Sequence, residues 1–165
     1  MRAIVLSGLR LLLICLWLVG VPVVRAESSA SVVRDLTYKV VDQAPLQLDI
    51  YRPASSSAAG KMPVVIYLHG GSWYQGDKAD IRDAYKGRML DALLENGYAV
   101  VSVNYRLTSA ARHLPMPIQD SKDAVRWVRK HSATYGLDPE RIGVWGTSAG
   151  AHLGMLLAYS SDARF

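Results

Sequence analysis

The sequence predicts an α/β protein built on a mostly parallel sheet with helices on both faces. Three observations predict it. Val64-Val65-Ile66-Tyr67-Leu68, Tyr98 to Val103 and Ile142-Gly143-Val144-Trp145 are apolar without alternation, as strands buried on both faces are. Stretches with helical periodicity lie between and after these runs. That strand–helix alternation is the pattern of a sheet covered by helices on each side. The chain has 165 residues, half of them hydrophobic and a fifth charged, which excludes a disordered tail, a collagen-like repeat and a polar linker.

The N-terminal segment reads as an address. Residues 11–24 (LLLICLWLVGVPVV) are fourteen residues without a charge, preceded by Arg2 and Arg10 and followed by Val24-Arg25-Ala26. A basic start, a short apolar run and a small-residue cleavage site describe a secretory signal over 1–26. The run is short for an anchor, because a spanning helix needs about 20 apolar residues. Cleavage after Ala26 leaves no stable membrane anchor and a secreted or periplasmic product. Three of the 19 basic residues, Arg2, Arg10 and Arg25, fall in this segment. The remainder carries 16 basic against 14 acidic residues, a net of +2, which does not suit a nucleic-acid binder. The single cysteine, Cys15, also lies there, so disulfides and thiolate metal sites are excluded from the remainder. No cofactor or metal is called for.

The body then reads in order. Residues 27–35 form a linker, and the domain runs over 36–165. Leu36, Tyr38 and Val40 alternate with polar residues, as do Leu46, Leu48 and Ile50, giving two half-buried strands separated around Pro45. Ala54 to Lys61 is Ser/Ala/Gly-rich and reads as a surface loop. After the buried run 64–68, Ile81, Tyr85, Met89 and Leu93 recur every four residues, with Leu90 and Leu94 widening the stripe into a helix that Gly97 ends. Ile118, Val125 and Val128 share a second helical face, with Trp127 at its margin, beginning after Pro117 and fading before Gly136. The run 142–145 is the last strand, and Ala149 to Tyr159 is an apolar helix carrying Leu153, Leu156 and Leu157.

The chemistry sits on two turns. Gly146-Thr147-Ser148-Ala149-Gly150 follows a buried strand and opens a helix, the context of a Gly-x-Ser-x-Gly nucleophile elbow. Such a turn is so sharp that the nucleophile's neighbours must be small. The serine hydroxyl then stands clear, and the Ala149 N–H lies at a helix N-terminus, where partial positive charge favours an oxyanion. A Gly-rich turn of a nucleotide-binding type would look similar alone. The second turn decides against it. His69-Gly70-Gly71-Ser72-Trp73 follows directly after another buried strand, where such a loop supplies the other half of an oxyanion hole.

From about Leu46 to the last residue, the sequence resembles the α/β-hydrolase superfamily, within the hormone-sensitive-lipase-like esterases, and is most similar to the secreted bifunctional acetylxylan and feruloyl esterases. The resemblance rests on His69 to Trp73 with Gly76-Asp77-Lys78, and on Asn104-Tyr105-Arg106-Leu107. It extends to Pro115 with Asp120, Ala124 and Trp127, to Gly136 through Ile142, and to Gly146 through Leu153. It implies Ser148 as nucleophile, the N–H groups of Gly71, Ser72 and Ala149 as oxyanion donors, and Gly70 as turn residue. The usual third glycine of the loop is Ser72 here, which leaves the backbone donor in place. The implied substrate is a small-molecule or carbohydrate-linked acyl ester. An arylformamidase-like amidase shares the loop. An inactive fragment or binding relative is the third reading.

Other residues take plainer roles. His69 orients its loop by hydrogen bonds. His152, one turn along the elbow helix, is structural. His113 and His131 are loop and surface residues. Asp120 and Asp123 are helix N-terminal charges, and Asp138 is a turn residue. Trp73 reads equally as a substrate-binding wall or as packing over its own loop. In this fold the acid and histidine of the triad follow the serine, and after Ser148 only His152 and Asp162 remain. Neither matches the family's acid or base. The expectation is the N-terminal part of a longer esterase, with Ile142–Trp145 left as an apolar sheet edge open to self-association.

Overall fold

The computed structural model describes residues 30–54, 60–109 and 115–160. The segment 1–26 read as a signal, most of the 54–61 loop, His113 and Asp162 lie outside the described residues.

A hairpin opens the sheet. Strands β1 (Ser31–Val41) and β2 (Ala44–Arg52) pair antiparallel across Asp42-Gln43, both with positive φ (50° and 63°). Positive φ at both central residues is the geometry whose twist matches that of paired strands. The turn thus precedes Pro45, which already pairs with Val40. β1 also starts at Ser31, so 31–35 are strand and not linker. Two register shifts, at Val33/Leu36 and Thr37/Lys39, change the phase of its alternation. In consequence Val40 is 64% exposed, whereas Lys39 turns inward.

Strands β3 (Met62–Leu68), β4 (Ala99–Val103) and β5 (Leu137–Gly146) complete a five-stranded sheet of order β1-β2-β4-β3-β5. β3 pairs parallel with both β4 and β5, whereas β2 pairs antiparallel with β4. Its parallel half is the half that carries the two functional turns.

Helices cover both faces. On one, α2 (Pro115–Tyr135) and α3 (Ala149–Tyr159) bury Ile118, Ala124, Val128 and Leu153 against Leu48, Ile50, Val64, Ile66, Val101 and Val103. On the other, α1 (Ala84–Glu95) buries Leu90 and Leu94 with Ile81 against Tyr51, Tyr67 and Val100. The expected four-residue stripe on α1 is corrected here. Ile81 belongs to a separate 3-10 turn, Lys78–Arg82, and Asp83 (ψ 149°) breaks the helical path after it. The phase therefore resets, leaving Tyr85 and Met89 64% and 40% exposed. Gly97 (φ 80°) ends α1 as expected, and α2 starts at Pro115, two residues before Pro117.

β5 also differs from its sequence reading. It pairs with β3 alone among the described strands, and Val144 is 37% exposed. An apolar run marked it as buried on both faces. Its outer edge, however, opens onto a groove of about 730 Å³ between α2 and α3, lined by Val125, Arg126, Ile142, Val144, Met155 and Leu157.

Candidate active site

β5 delivers the chain to the elbow. Ser148 has φ 51° and ψ −117°, a conformation rarely adopted by L-residues and costing of order 1–3 kcal/mol. Two close approaches hold it there. A Cβ on Gly146 would strike the backbone of Gly150, and a Cβ on Gly150 would strike the carbonyls of Leu68 and His69. The small neighbours are thus demanded by a crossing of α3 over the end of β3. The turn closes with Gly150 N–H donating to Thr147 C=O (2.9 Å) and His152 N–H donating to Ser148 C=O (3.1 Å). Ser148 is exposed, whereas Ala149 and Gly150 are buried. Its side chain therefore stands at the N-terminus of α3, facing solvent.

The second turn leaves β3 at Leu68. Gly71, Ser72 and Trp73 all have positive φ (104°, 53° and 66°). Gly71 C=O accepts from the N–H groups of Tyr74 and Gln75 (3.2 and 3.1 Å), and a Cβ on Gly71 would meet Gln75 O. The conformation of Ser72 shows why glycine is usual there, since a left-handed L-residue costs roughly 1–2 kcal/mol. Gly70 ties this loop to the elbow. A Cβ placed on it would lie 3.0 Å from Thr147 O and 3.7 Å from Ser148 Cβ. Among the described residues, none of the N–H groups of Gly71, Ser72 and Ala149 donates a backbone hydrogen bond.

His69 is 1% exposed, with Nδ1 2.8 Å from Gly70 O and its ring stacked on Tyr105. Burial holds its pKa below the ordinary imidazole value, against the raising effect of the Gly70 contact. This is a loop-orienting histidine, as expected. His131 is likewise occupied, its Nδ1 at Trp127 O and its ring on Trp127. His152 meets Trp73 edge-on, with ring centroids 5.4 Å apart. Trp73 packs between its loop and α3, and its Nε1 and the Nδ1 of His152 are buried without a hydrogen-bond partner. Among the described residues no histidine hydrogen bonds to the Ser148 hydroxyl, and no three His, Cys, Asp or Glu side chains converge as a metal site.

A segment that the sequence analysis names without giving it a role holds the loop. Tyr105 O–H donates to His69 C=O (2.7 Å), and Thr108 N–H donates to Trp73 C=O (2.7 Å). Asn104 accepts from Lys78 N–H and donates to Asp77, whose carboxylate caps the 3-10 turn through Ala79 N–H. Asp120, fully buried, takes the N–H, Nε and Nη2 of Arg106 and the Nζ of Lys39. It anchors 104–108 and is more than a helix-terminal charge. The only signal for this in the sequence is the run Asn104-Tyr105-Arg106-Leu107.

Comparisons with known proteins agree with this fold. The BD-FAE family model matches residues 48–165. A probable carboxylic ester hydrolase of Mycobacterium tuberculosis, LipM, is 37% identical over 119 residues, covering 72% of this chain and 26% of LipM. Esterase LipQ of the same organism is 37% identical over 115 residues, covering 70% of this chain and 26% of LipQ. A thermophilic esterase of Thermogutta terrifontis, Est2, superposes with TM-score 0.65 at 33% identity, covering 77% of this chain and 43% of Est2. The same esterase has been solved phosphorylated by paraoxon. The chain spans about a quarter of the length of these curated relatives and under half of the solved one. With its fold, its two turns and a family match over most of its length, the chain belongs to the BD-FAE family of α/β-hydrolase esterases.

Proposed function

We propose that this chain carries the nucleophile and oxyanion hole of a serine carboxylic-ester hydrolase. The observation that carries the reading is Ser148, exposed at positive φ on the N-terminus of α3, with the Gly70–Gly71–Ser72 turn braced against it. In the proposed step the Ser148 hydroxyl oxygen bonds to the ester carbonyl carbon and gives up its proton to a base. The carbonyl π electrons move to oxygen, and the N–H groups of Gly71, Ser72 and Ala149 receive that charge. Collapse breaks the bond to the alkoxide, which leaves as the alcohol after taking a proton. Water then releases the acid from the acyl-serine by the same route. None of the described histidines hydrogen bonds to Ser148: His69 and His131 are taken by backbone carbonyls, and His152 meets the edge of Trp73. The substrates are acyl groups on sugars or plant polymers, or small alkyl and aryl esters, with Trp73 as one wall of the site. Relatives named as esterases favour an ester over a formamide.

A fluorophosphonate probe followed by peptide mass spectrometry tests the nucleophile. In a longer product that supplies the base, the adduct is expected on Ser148 and absent from Ser148→Ala. Labelling unchanged in Ser148→Ala would show that another group is the nucleophile.

Two further readings belong to the same proposal. The charge and apolar pattern of 1–26 supports export with cleavage after Ala26. Mass spectrometry of the exported product should then find Glu27 at its N-terminus, and a mature cytoplasmic product retaining Met1 would refute it. The open edge of β5, with Val144 partly exposed, supports self-association. Sedimentation should show oligomers that Val144→Lys disperses, and a monomer at all concentrations would end the idea.

A further inference from the structure

We infer that Tyr105 is the positioning residue of the oxyanion hole, acting through the His69 imidazole and the Gly70 carbonyl on the direction of the Gly71 N–H. The inference rests on the ester-hydrolase reading above. It starts from a property of the peptide bond. In a planar trans peptide the C=O of one residue and the N–H of the next point in opposite directions. Whatever holds the Gly70 carbonyl therefore aims the Gly71 N–H. The group at that carbonyl is His69 Nδ1, 2.8 Å away. The contact is a hydrogen bond when Nδ1 carries the proton, and that tautomer follows because a carbonyl can only accept.

An imidazole on a glycine-rich turn needs its own support, and Tyr105 gives it twice. Its ring lies on the His69 ring with centroids 4.2 Å apart and planes 13° from parallel. Its hydroxyl donates to the His69 carbonyl at 2.7 Å, so ring and backbone of His69 are gripped together. Tyr105 is 2% exposed, and burial pushes its pKa upward, so the hydroxyl stays a donor.

Tyr105 is fixed in turn by its neighbours. Asn104 N–H donates to Gln47 C=O, and Asn104 C=O accepts from the Tyr38 hydroxyl. Arg106 is clamped on buried Asp120 by three hydrogen bonds. At the far end Thr108 N–H holds Trp73 C=O. The strap 104–108 is thus hydrogen-bonded to the first and last residues of the loop, the pattern of a part that aims the donors between them.

The space on the other side of the loop makes the aim matter. Gly70 already lies against Thr147 and Ser148, so a tilt of its peptide moves the Gly71 N–H relative to the nucleophile. Loss of the Tyr105 hydroxyl leaves the His69 carbonyl buried without its donor, while the ring stack persists in phenylalanine. Loss of the ring removes both supports.

The test uses the 165-residue chain with phenylboronic acid, an oxyanion mimic. The Ser148 oxygen bonds to boron, its proton goes to solvent, and the boron becomes a tetrahedral anion with an oxygen directed at the donors. Binding is read by 15N–1H shifts of Gly71, Ser72 and Ala149, with Ser148→Ala as the control for specificity. Tyr105→Phe should weaken binding about fivefold and Tyr105→Leu more than about tenfold. Both losses stay below the roughly hundredfold or more of deleting an oxyanion donor outright. The Gly71 amide should shift in the free variants, before any ligand is added. Ser121→Ala, which deletes a buried hydroxyl bond to Pro117 C=O on α2, should lower stability and leave binding unchanged. If Tyr105→Leu does not fold, Tyr105→Phe alone decides. Wild-type affinity and an unmoved Gly71 amide in Tyr105→Phe would overturn the inference and leave the hydrolase reading intact. Absence of Ser148-dependent binding by the wild type would overturn that reading, and this inference with it.

Discussion

Gly150→Ala tests the crossing on which the elbow depends. The added methyl would lie 2.6 Å from His69 O and 2.6 Å from Leu68 C, and closer still to Leu68 O. Ordinary carbon–oxygen contacts are about 3.3 Å or longer, so the start of α3 must retreat from β3 by most of an ångström or more. The obstructing atoms are backbone at the end of β3, a strand paired on both sides, so no side chain can swing away. Overpacking costs about 1–3 kcal/mol, and this case belongs at or above the upper end. Alanine's helix propensity returns about 1 kcal/mol, leaving a net loss of about 2–3 kcal/mol. Two other glycines calibrate it. At Gly143 a Cβ meets only Val64 O at 3.9 Å, so Gly143→Ala should cost about 0.5 kcal/mol or less. At Gly97 nothing lies within 4 Å but φ is 80°, so Gly97→Ala should cost about 1–2 kcal/mol. Urea unfolding followed by circular dichroism reads the series. With a slope of about 1–3 kcal/mol per molar, Gly150→Ala should lower the midpoint by roughly 1–2 M. A midpoint for Gly150→Ala no lower than that of Gly143→Ala would refute the claim that this crossing holds the elbow.

Asp120→Asn leaves Arg106 and Lys39 facing a neutral amide at a fully buried position, so urea unfolding should show a loss of about 3–5 kcal/mol; a change under about 1 kcal/mol would deny its anchoring role. Burial keeps the folded-state pKa of His69 below the ordinary value, so the unfolded chain takes up a proton that the folded chain resists. Stability should therefore fall as pH drops below about 6.5, by at most about 1.4 kcal/mol per pH unit, and His69→Gln should flatten that limb. A wild-type urea midpoint that stays level from about pH 7.5 to about pH 5 would contradict this. No described histidine is bonded to Ser148, so the 165-residue chain should hydrolyse an activated aryl ester at a rate no different from Ser148→Ala. Ser148-dependent turnover of order 1 per second would mean that one of its histidines serves as base.

What the sequence revealed and what it hid divide along a physical line. Local geometry was legible: a glycine on each side of Ser148, two more after His69, and apolar runs before each turn. Gly71 is constrained by its own turn, and Gly146 by the start of α3 four residues on, so their types report the constraint. What depends on distant partners was not. Asp120 carries no local mark of its burial, because Arg106 and Lys39 reach it from other elements. The inward turn of Lys39 follows from bulges in β1 that no alternation rule anticipates. The stripe Ile81, Tyr85, Met89 and Leu93 is broken at Asp83, which resets the helical phase: Ile81, Leu90, Leu94 and partly buried Leu93 pack on the sheet, and Tyr85 and Met89 are exposed. β5 reads as interior from its apolar run, whereas Val144 is 37% exposed beside the groove along its edge.

The same division shows how the two turns support each other. Four residues in two turns, Gly71, Ser72, Trp73 and Ser148, sit at positive φ, and three of them are not glycine. Each non-glycine costs of order 1–3 kcal/mol, so neither turn would hold its shape alone. They brace each other: Gly70 abuts Thr147 and Ser148, and Gly150 abuts Leu68 and His69. Both contacts run between the carboxyl ends of β3 and β5, adjacent parallel strands whose ladder fixes the separation of the turns. Pairing of β3 with β5 thus sets the distance from Ser148 to the Gly70–Trp73 loop. The strap 104–108 then sets the loop's orientation from the β4 side. Under the proposed ester-hydrolase reading, two turns fixed by the sheet are the preorganisation that makes backbone N–H groups effective toward a developing oxyanion.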